Sequence, residues 1–179
     1  GVIGEGGRGT ASHFGLEDEV DLIMGTFSKS LASLGGYCVA SETVIDYIRH
    51  NSRPFIFSAS IPPACAATAL AALCHIRSHP ELVTRLSELS AYMRRGLRAK
   101  GVPIIESTTP IIPIYTYTVE NTLEKARRLY DAGVYVNPVL APATPPDQCL
   151  LRTSYMATLT EPLLDEAIEI FGRVLVEEA

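Results

Sequence analysis

The chain has 179 residues, of which 47% are hydrophobic and 20% charged, with a formal net charge of −5. That balance predicts a packed core and excludes a disordered chain, and the arginines are too scattered to form the basic stripe of a nucleic-acid surface. No apolar run approaches the ~20 residues that span a bilayer, and the opening "GVIGEGGRGT" lacks the basic start and apolar stretch of a secretory leader.

In chain order, residues 1–15 are glycine-rich and read as loop. "VDLIMGTF" (20–27) is a short apolar run between acidic residues and glycine, which predicts a buried strand, and "GGYCVAS" (35–41) predicts a second. "SETVIDYIRHN" (41–51) starts on serine, with apolar residues at 44, 45 and 48, and predicts a short helix. "RPFIFSAS" (53–60) reads as a strand that ends at Pro62-Pro63, where an alanine-rich helix opens with Ser60 as candidate N-cap. Pro80 starts another helix, with apolar positions 82, 83, 86, 89, 93 and 97 on one face and Gly101 as its stop.

From residue 102 the texture changes. "IIPIYTYTV" (111–119) predicts a strand, and residues 121–133 a helix with an Asn121 cap and a Gly133 stop. Residues 134–139 predict a strand running into the proline-rich "LAPATPPDQ", and 149–156 another strand. Residues 160–178 predict a terminal helix, capped by Thr160 with Pro162 in its first turn. The order β-α-β-β-α implies a compact α+β domain over 101–179, set off from 1–100. The four cysteines, Cys38, Cys65, Cys74 and Cys149, have no CxxC spacing, so free thiols in a reducing, cytoplasmic compartment are expected, with no zinc site.

Lys29 stands out in "GTFSKSLASLGG" (25–36), being one of three lysines in the chain. It follows an apolar strand, where α/β folds place their chemistry. A lysine beside an apolar interior loses hydration, which favours a nucleophilic amine able to bond a carbonyl. Thr26 and Ser28 could hold a phosphate of the same cofactor, while Gly35 and Gly36 permit close backbone approach. Two readings follow from the pattern: a pyridoxal phosphate lysine, or a surface lysine on a serine-rich loop.

"GTFSKSLASLGGY" resembles the lysine segment of the α-oxoamine synthases, a fold-type I pyridoxal phosphate family. "GVIGEGGRGTASHFGL", "RPFIFSASIPP" and "GVYVNPVLAPATPPDQCLLRTSYMATLT" resemble other segments of that family, in the same order and spacing. The resemblance implies an α/β fold: the C-terminal part of the cofactor-binding large domain (1–100), then a small C-terminal α+β domain (101–179). It also implies condensation of an amino acid with an acyl-CoA, with loss of carbon dioxide and CoA.

The same resemblance assigns roles. Lys29 anchors pyridoxal 5'-phosphate and later removes the α-proton. Thr26 contacts the phosphate, and Ser28 either helps or is a turn hydroxyl. Ser58 reaches the phosphate of a neighbouring subunit, which implies a homodimer with its active site at the interface; otherwise it is a strand-end hydroxyl. Arg152, in "LLRTS", grips the amino acid's carboxylate through a bidentate fork, or else forms a structural ion pair. His13 is expected to be peripheral, and Arg8 to tie down a loop. His50, His75 and His79 show no ligand spacing, and "GEGGRG" lacks the Gly-Lys-Ser/Thr ending of a phosphate-binding Walker loop. The family's pyridine-pairing aspartate and stacking histidine are expected upstream of residue 1, so the chain reads as about the C-terminal half of a family member.

Within the family, the segments look closest to the sphingolipid branch, which joins L-serine to a long-chain acyl-CoA. The alternatives are the alanine- and glycine-using branches, biotin synthesis among them, and a non-catalytic partner subunit that keeps only the fold. Leu159 departs from the commoner "MATHT", so a substrate-side contact is expected to differ there.

Overall fold

The computed structural model describes residues 1–177. The chain divides into two units, Gly1–Val83 and Thr84–Ala179, each considered by itself.

In the N-terminal unit the glycine-rich start is not plain loop. It forms a tight turn over Glu5–Gly7 and a short helix, α1 (Thr10–Phe14), stopped by Gly15 at φ 68°. Arg8 pairs with Glu17 at 2.9 Å and ties this segment down. β1 (Leu22–Thr26) and β2 (Gly36–Ala40) form an antiparallel ribbon in which Leu22 faces Ala40 and Thr26 faces Gly36. The ribbon corrects the expectation of a buried strand. β1 is exposed along nearly its whole length, because β2 pairs with its edge and the described residues leave its faces largely open.

α2 (Glu42–Asn51) forms where the Ser41 start and helical spacing placed it. The strand expected over 53–60 does not form. Its first half is a helical turn, α3 (Arg53–Ile56), with Pro54 in the first turn and Phe57 N bonded to Arg53 O at 2.9 Å. Proline's fixed φ suits a helix start and outweighs the aromatic alternation of "FIF". α4 (Pro63–Ser78) opens on its prolines, but Pro62 occupies the N-cap position and Ser60 does not. Of this unit's side chains, Ala69 alone is buried among the described hydrophobic residues, while Met24, Phe57 and Leu70 are 70%, 83% and 62% exposed.

The C-terminal unit has a core. α5 (Glu81–Ala99) begins just before it and turns Leu89, Met93 and Leu97 inward, each 1% exposed or less. Gly101 (φ 76°) ends it, and Val102 N bonds back to Leu97 O at 3.0 Å. β3 (Ile111–Tyr117), β4 (Asn137–Val139) and β5 (Cys149–Ser154) form an antiparallel sheet in the order β3-β5-β4. One face buries Ile112, Ile114 and Leu151; the other carries Pro113, Arg152 and Asn137, with alternation along each strand deciding which.

α6 (Val119–Asp131) starts two residues earlier than expected, and its cap is Thr118, whose hydroxyl accepts from Asn121 N at 3.2 Å. Asn121 lies inside the helix and donates through Nδ2 to Thr116 O at 2.7 Å. Gly133 (φ 97°) stops it as expected. α7 (Glu161–Gly172) runs into a wider turn over Arg173–Glu177; the last residue of the expected helix, Glu178, lies outside the described residues.

α5 and α7 approach closely at Gly96, where an added Cβ would stand 2.2 Å from Ile168 Cδ1 and 2.9 Å from its Cγ1. Ile168 is buried and has little room to yield. Gly96→Ala is therefore expected to destabilise this unit by about 1–3 kcal/mol despite alanine's better helix propensity. Chemical denaturation that shows an unchanged or higher midpoint would contradict that packing.

Candidate functional site

The lysine loop is built by the β1–β2 ribbon. Phe27 N bonds Gly35 O at 2.9 Å and Ser33 N bonds Phe27 O at 2.8 Å, which closes the ribbon into a loop over 28–34. Ala32 N bonds Lys29 O at 2.9 Å, so Lys29 opens a turn at the loop's tip. Two glycines let this geometry form. A Cβ on Gly36 would lie 2.6 Å from the carbonyl oxygen of Gly25, and one on Gly35 (φ 105°) would lie 2.6 Å from Ile61 Cγ2. The close approach expected at this pair is thus between protein segments.

On this loop Lys29 Nζ donates to Ser28 Oγ at 3.3 Å, and Ser28 Oγ donates to Thr26 Oγ1 at 3.4 Å. All three side chains are exposed, in contrast to the buried setting expected for the lysine, because β1 itself is exposed. Residues 25–36 contain no carboxylate. An ammonium and two hydroxyls in one row, with no competing anion on the loop, suit a phosphate-bearing aldehyde: the hydroxyls can donate to phosphate oxygens and the amine can bond a carbonyl carbon.

Ser58 lies in the segment between α3 and α4, exposed, with no hydrogen bond from its hydroxyl among the described residues. It is not bonded to the lysine loop. Sequence reasoning missed the tether that does reach the loop: Ser33 Oγ donates to Cys65 O at 2.7 Å. The acceptor is a backbone carbonyl, which no side-chain pattern announces. His13 is exposed at the end of α1, edge-on to Phe14 at 4.9 Å, a peripheral position.

Arg152 belongs to the C-terminal unit. It sits in the middle of β5 on the open face of the sheet, opposite Pro113 of β3 and Asn137 of β4. Its side chain is exposed, so the cost of burying an arginine in "CLLRTS" does not arise: the apolar neighbour Leu151 faces the core and Arg152 the other way. The described residues give it no ion-pair partner, which leaves its fork of donors open to an external anion.

The loop that leads from β4 into β5 carries an anomaly. Thr144 Oγ1, in "PATP", is buried without a hydrogen-bond partner among the described residues. On the core side of β5, Thr153 Oγ1 bonds both Ile112 O (2.8 Å) and the Tyr155 hydroxyl (2.9 Å). Burial pushes the Tyr155 phenol up to about 12, opposed by the Thr153 bond and by the nearby Arg94 charge, so Tyr155 is neutral throughout the physiological range. Beside it lies a cavity of about 300 Å³ whose walls include Val134, Tyr155, Leu163 and Leu159. The leucine that departs from the commoner motif is therefore part of an apolar wall, packed against the core.

Three comparisons bear on what this arrangement is. The family model for aminotransferase class I and II matches residues 1–171. A serine palmitoyltransferase of Sphingobacterium spiritivorum is 49% identical over 174 residues, 97% of this chain and 44% of that protein. 8-amino-7-oxononanoate synthase 1 of Bacillus subtilis is 37% identical over 177 residues, 99% of this chain and 45% of that protein. Among solved structures, a serine palmitoyltransferase variant from S. paucimobilis with a bound PLP–myriocin aldimine matches with a TM-score of 0.90 at 31% identity, over 97% of this chain and 44% of that one. The expected fold, a C-terminal portion of a fold-type I transferase, is borne out by that match. The chain spans less than half the length of these relatives.

Proposed function

The chain belongs to the aminotransferase class I and II family, and from that premise we propose that it supplies the lysine loop and the C-terminal domain of a pyridoxal phosphate-dependent α-oxoamine synthase. The reaction is the decarboxylative condensation of L-serine with a long-chain acyl-CoA, giving a 3-oxo amine, carbon dioxide and CoA. The observation that carries the reading is the row Thr26–Ser28–Lys29 at the tip of the β1–β2 ribbon, an amine and two hydroxyls with no acid on the loop. The choice of serine is supported by the likeness to proteins named serine palmitoyltransferase.

When bound, pyridoxal phosphate supplies an electron sink for negative charge at the substrate's α-carbon. Lys29 Nζ is the covalent anchor and, as a free amine, the base that takes the α-proton. Thr26 Oγ1, with Ser28 Oγ beside it, donates to the phosphate. Arg152 holds the substrate carboxylate and so fixes which bond at the α-carbon is broken. Ser58, whose hydroxyl has no hydrogen bond among the described residues, reaches the phosphate of a second subunit, which makes the working form a homodimer. The cytoplasmic location expected from the unpaired cysteines belongs to the same proposal; no helix among the described residues is long and apolar enough to cross a membrane.

A second reading keeps the chemistry and changes the amino acid to alanine or glycine, favoured by the likeness to 8-amino-7-oxononanoate synthases. A non-catalytic partner subunit is disfavoured, because such a subunit can lose Lys29 and Arg152 without cost to the fold and both are present. Visible spectra of the full-length holoenzyme, titrated with serine, alanine and glycine, separate these readings. Serine is expected to shift the absorption at the lowest concentration. A response to alanine or glycine with none to serine would move the protein to the second reading.

A further inference from the structure

We infer that Asn137 is a second binding group for the substrate carboxylate, placed beside Arg152 by the sheet register; this rests on the proposed role of Arg152. The register pairs Asn137 of β4 directly with Arg152 of β5. Directly opposed residues of an antiparallel pair share one face, with Cβ atoms about 4.5–5.5 Å apart. The other cross-strand partner of Arg152 is Pro113, which has no polar side-chain atom and no N–H to offer. Of the two residues flanking the guanidinium across the strands, only Asn137 can bind an anion.

The amide of Asn137 is already oriented. Tyr135, two residues earlier, donates its hydroxyl to Asn137 Oδ1 at 3.0 Å. With the oxygen engaged, the two Nδ2 hydrogens point away from Tyr135, and no protein acceptor takes them among the described residues. Asn137 is half-buried while Arg152 is exposed, so the amide adds a partly desolvated donor beside a solvated charge. A carboxylate has about four acceptor positions on two oxygens. The arginine fork fills two of them side by side, and an amide donor on one flank can fill a third. Such a donor also breaks the symmetry of the arginine's open approach, because it favours the ligand pose that leans toward β4.

The test uses the full-length holoenzyme, with dissociation constants for L-serine and for 2-aminoethanol, its carboxylate-free analogue, read from the spectral shift. Asn137→Ala is expected to weaken serine binding by about five- to tenfold, the loss of one donor to a charged group. Asn137→Asp keeps the acceptor for Tyr135 and the side-chain shape but sets two carboxylates side by side, so serine binding falls further. Both variants bind 2-aminoethanol as the parent does. Arg152→Ala serves as the reference. If it weakens serine binding while both Asn137 variants leave serine binding intact, the inference about Asn137 falls and the reading of Arg152 stands. Serine binding unaltered in Arg152→Ala as well would remove both. Equal losses for serine and 2-aminoethanol in Asn137→Asp would assign Asn137 a purely structural part and overturn the inference.

Discussion

Lys29→Ala, made in the full-length enzyme, is expected to abolish the visible band that pyridoxal phosphate gives when joined to a lysine amine. Turnover is expected to fall by at least ~100-fold, since the variant loses the proposed base as well as the anchor. Neither of the other two lysines of this chain belongs to the lysine loop. Lys100 follows the end of α5 and its amine is paired with Glu169 at 2.6 Å, and Lys125 lies within α6. The effect on folding should be small. Lys29 is exposed, and among the described residues its side chain bonds only its neighbour Ser28, so nothing buried is lost. A lysine that merely decorated a serine-rich surface loop would leave both the band and turnover unchanged.

Arg152→Ala should separate binding from anchoring. The cofactor band persists, because Arg152 lies on β5 of the C-terminal unit and not on the lysine loop. The dissociation constant for the amino acid rises by roughly 100-fold, as expected when two charge-assisted hydrogen bonds to a carboxylate are removed. Stability should change little, since the arginine has no ion-pair partner to orphan among the described residues. Arg152→Lys should recover only part of the affinity, because an ammonium carries the charge but not the planar fork. A loss of the cofactor band in Arg152→Ala would place the arginine in the cofactor site.

The C-terminal unit was the more legible half. There the period of the apolar residues and the actual burial coincide. Leu89, Met93 and Leu97 recur at helical spacing and are buried, and in β3 and β5 every second residue faces the core. The misplaced cap of α6 has a local cause. Thr118 and Asn121 are both good capping residues, three positions apart, and Tyr117, held at φ 69° beside an irregularity in the β3–β5 register, starts the helix early enough for Thr118 to cap it.

The N-terminal unit was less legible because apolar sequence there does not mean burial. "VDLIMGTF" looks like a core strand, and its β-structure is real, but its faces are open in the described chain. "RPFIFSAS" alternates like a strand, yet Pro54 sets a helical turn. The site divides along the same line. Lys29, Thr26 and Ser28 could be read from one contiguous motif, and the structure lines them up. The Ser33 tether to Cys65 and the pairing of Asn137 with Arg152 could not, because they depend on a backbone acceptor 32 residues away and on strand register.

In the proposed enzyme Lys29 is the residue to which the cofactor is joined. Loading the full-length enzyme with pyridoxal phosphate, reducing it with borohydride and mapping the peptides by mass spectrometry tests this directly. A phosphopyridoxyl group is expected on the peptide carrying Lys29, with serine added before reduction lowering the yield. A label on the peptides of Lys100 or Lys125 instead, or no label on any lysine of this chain, would contradict it.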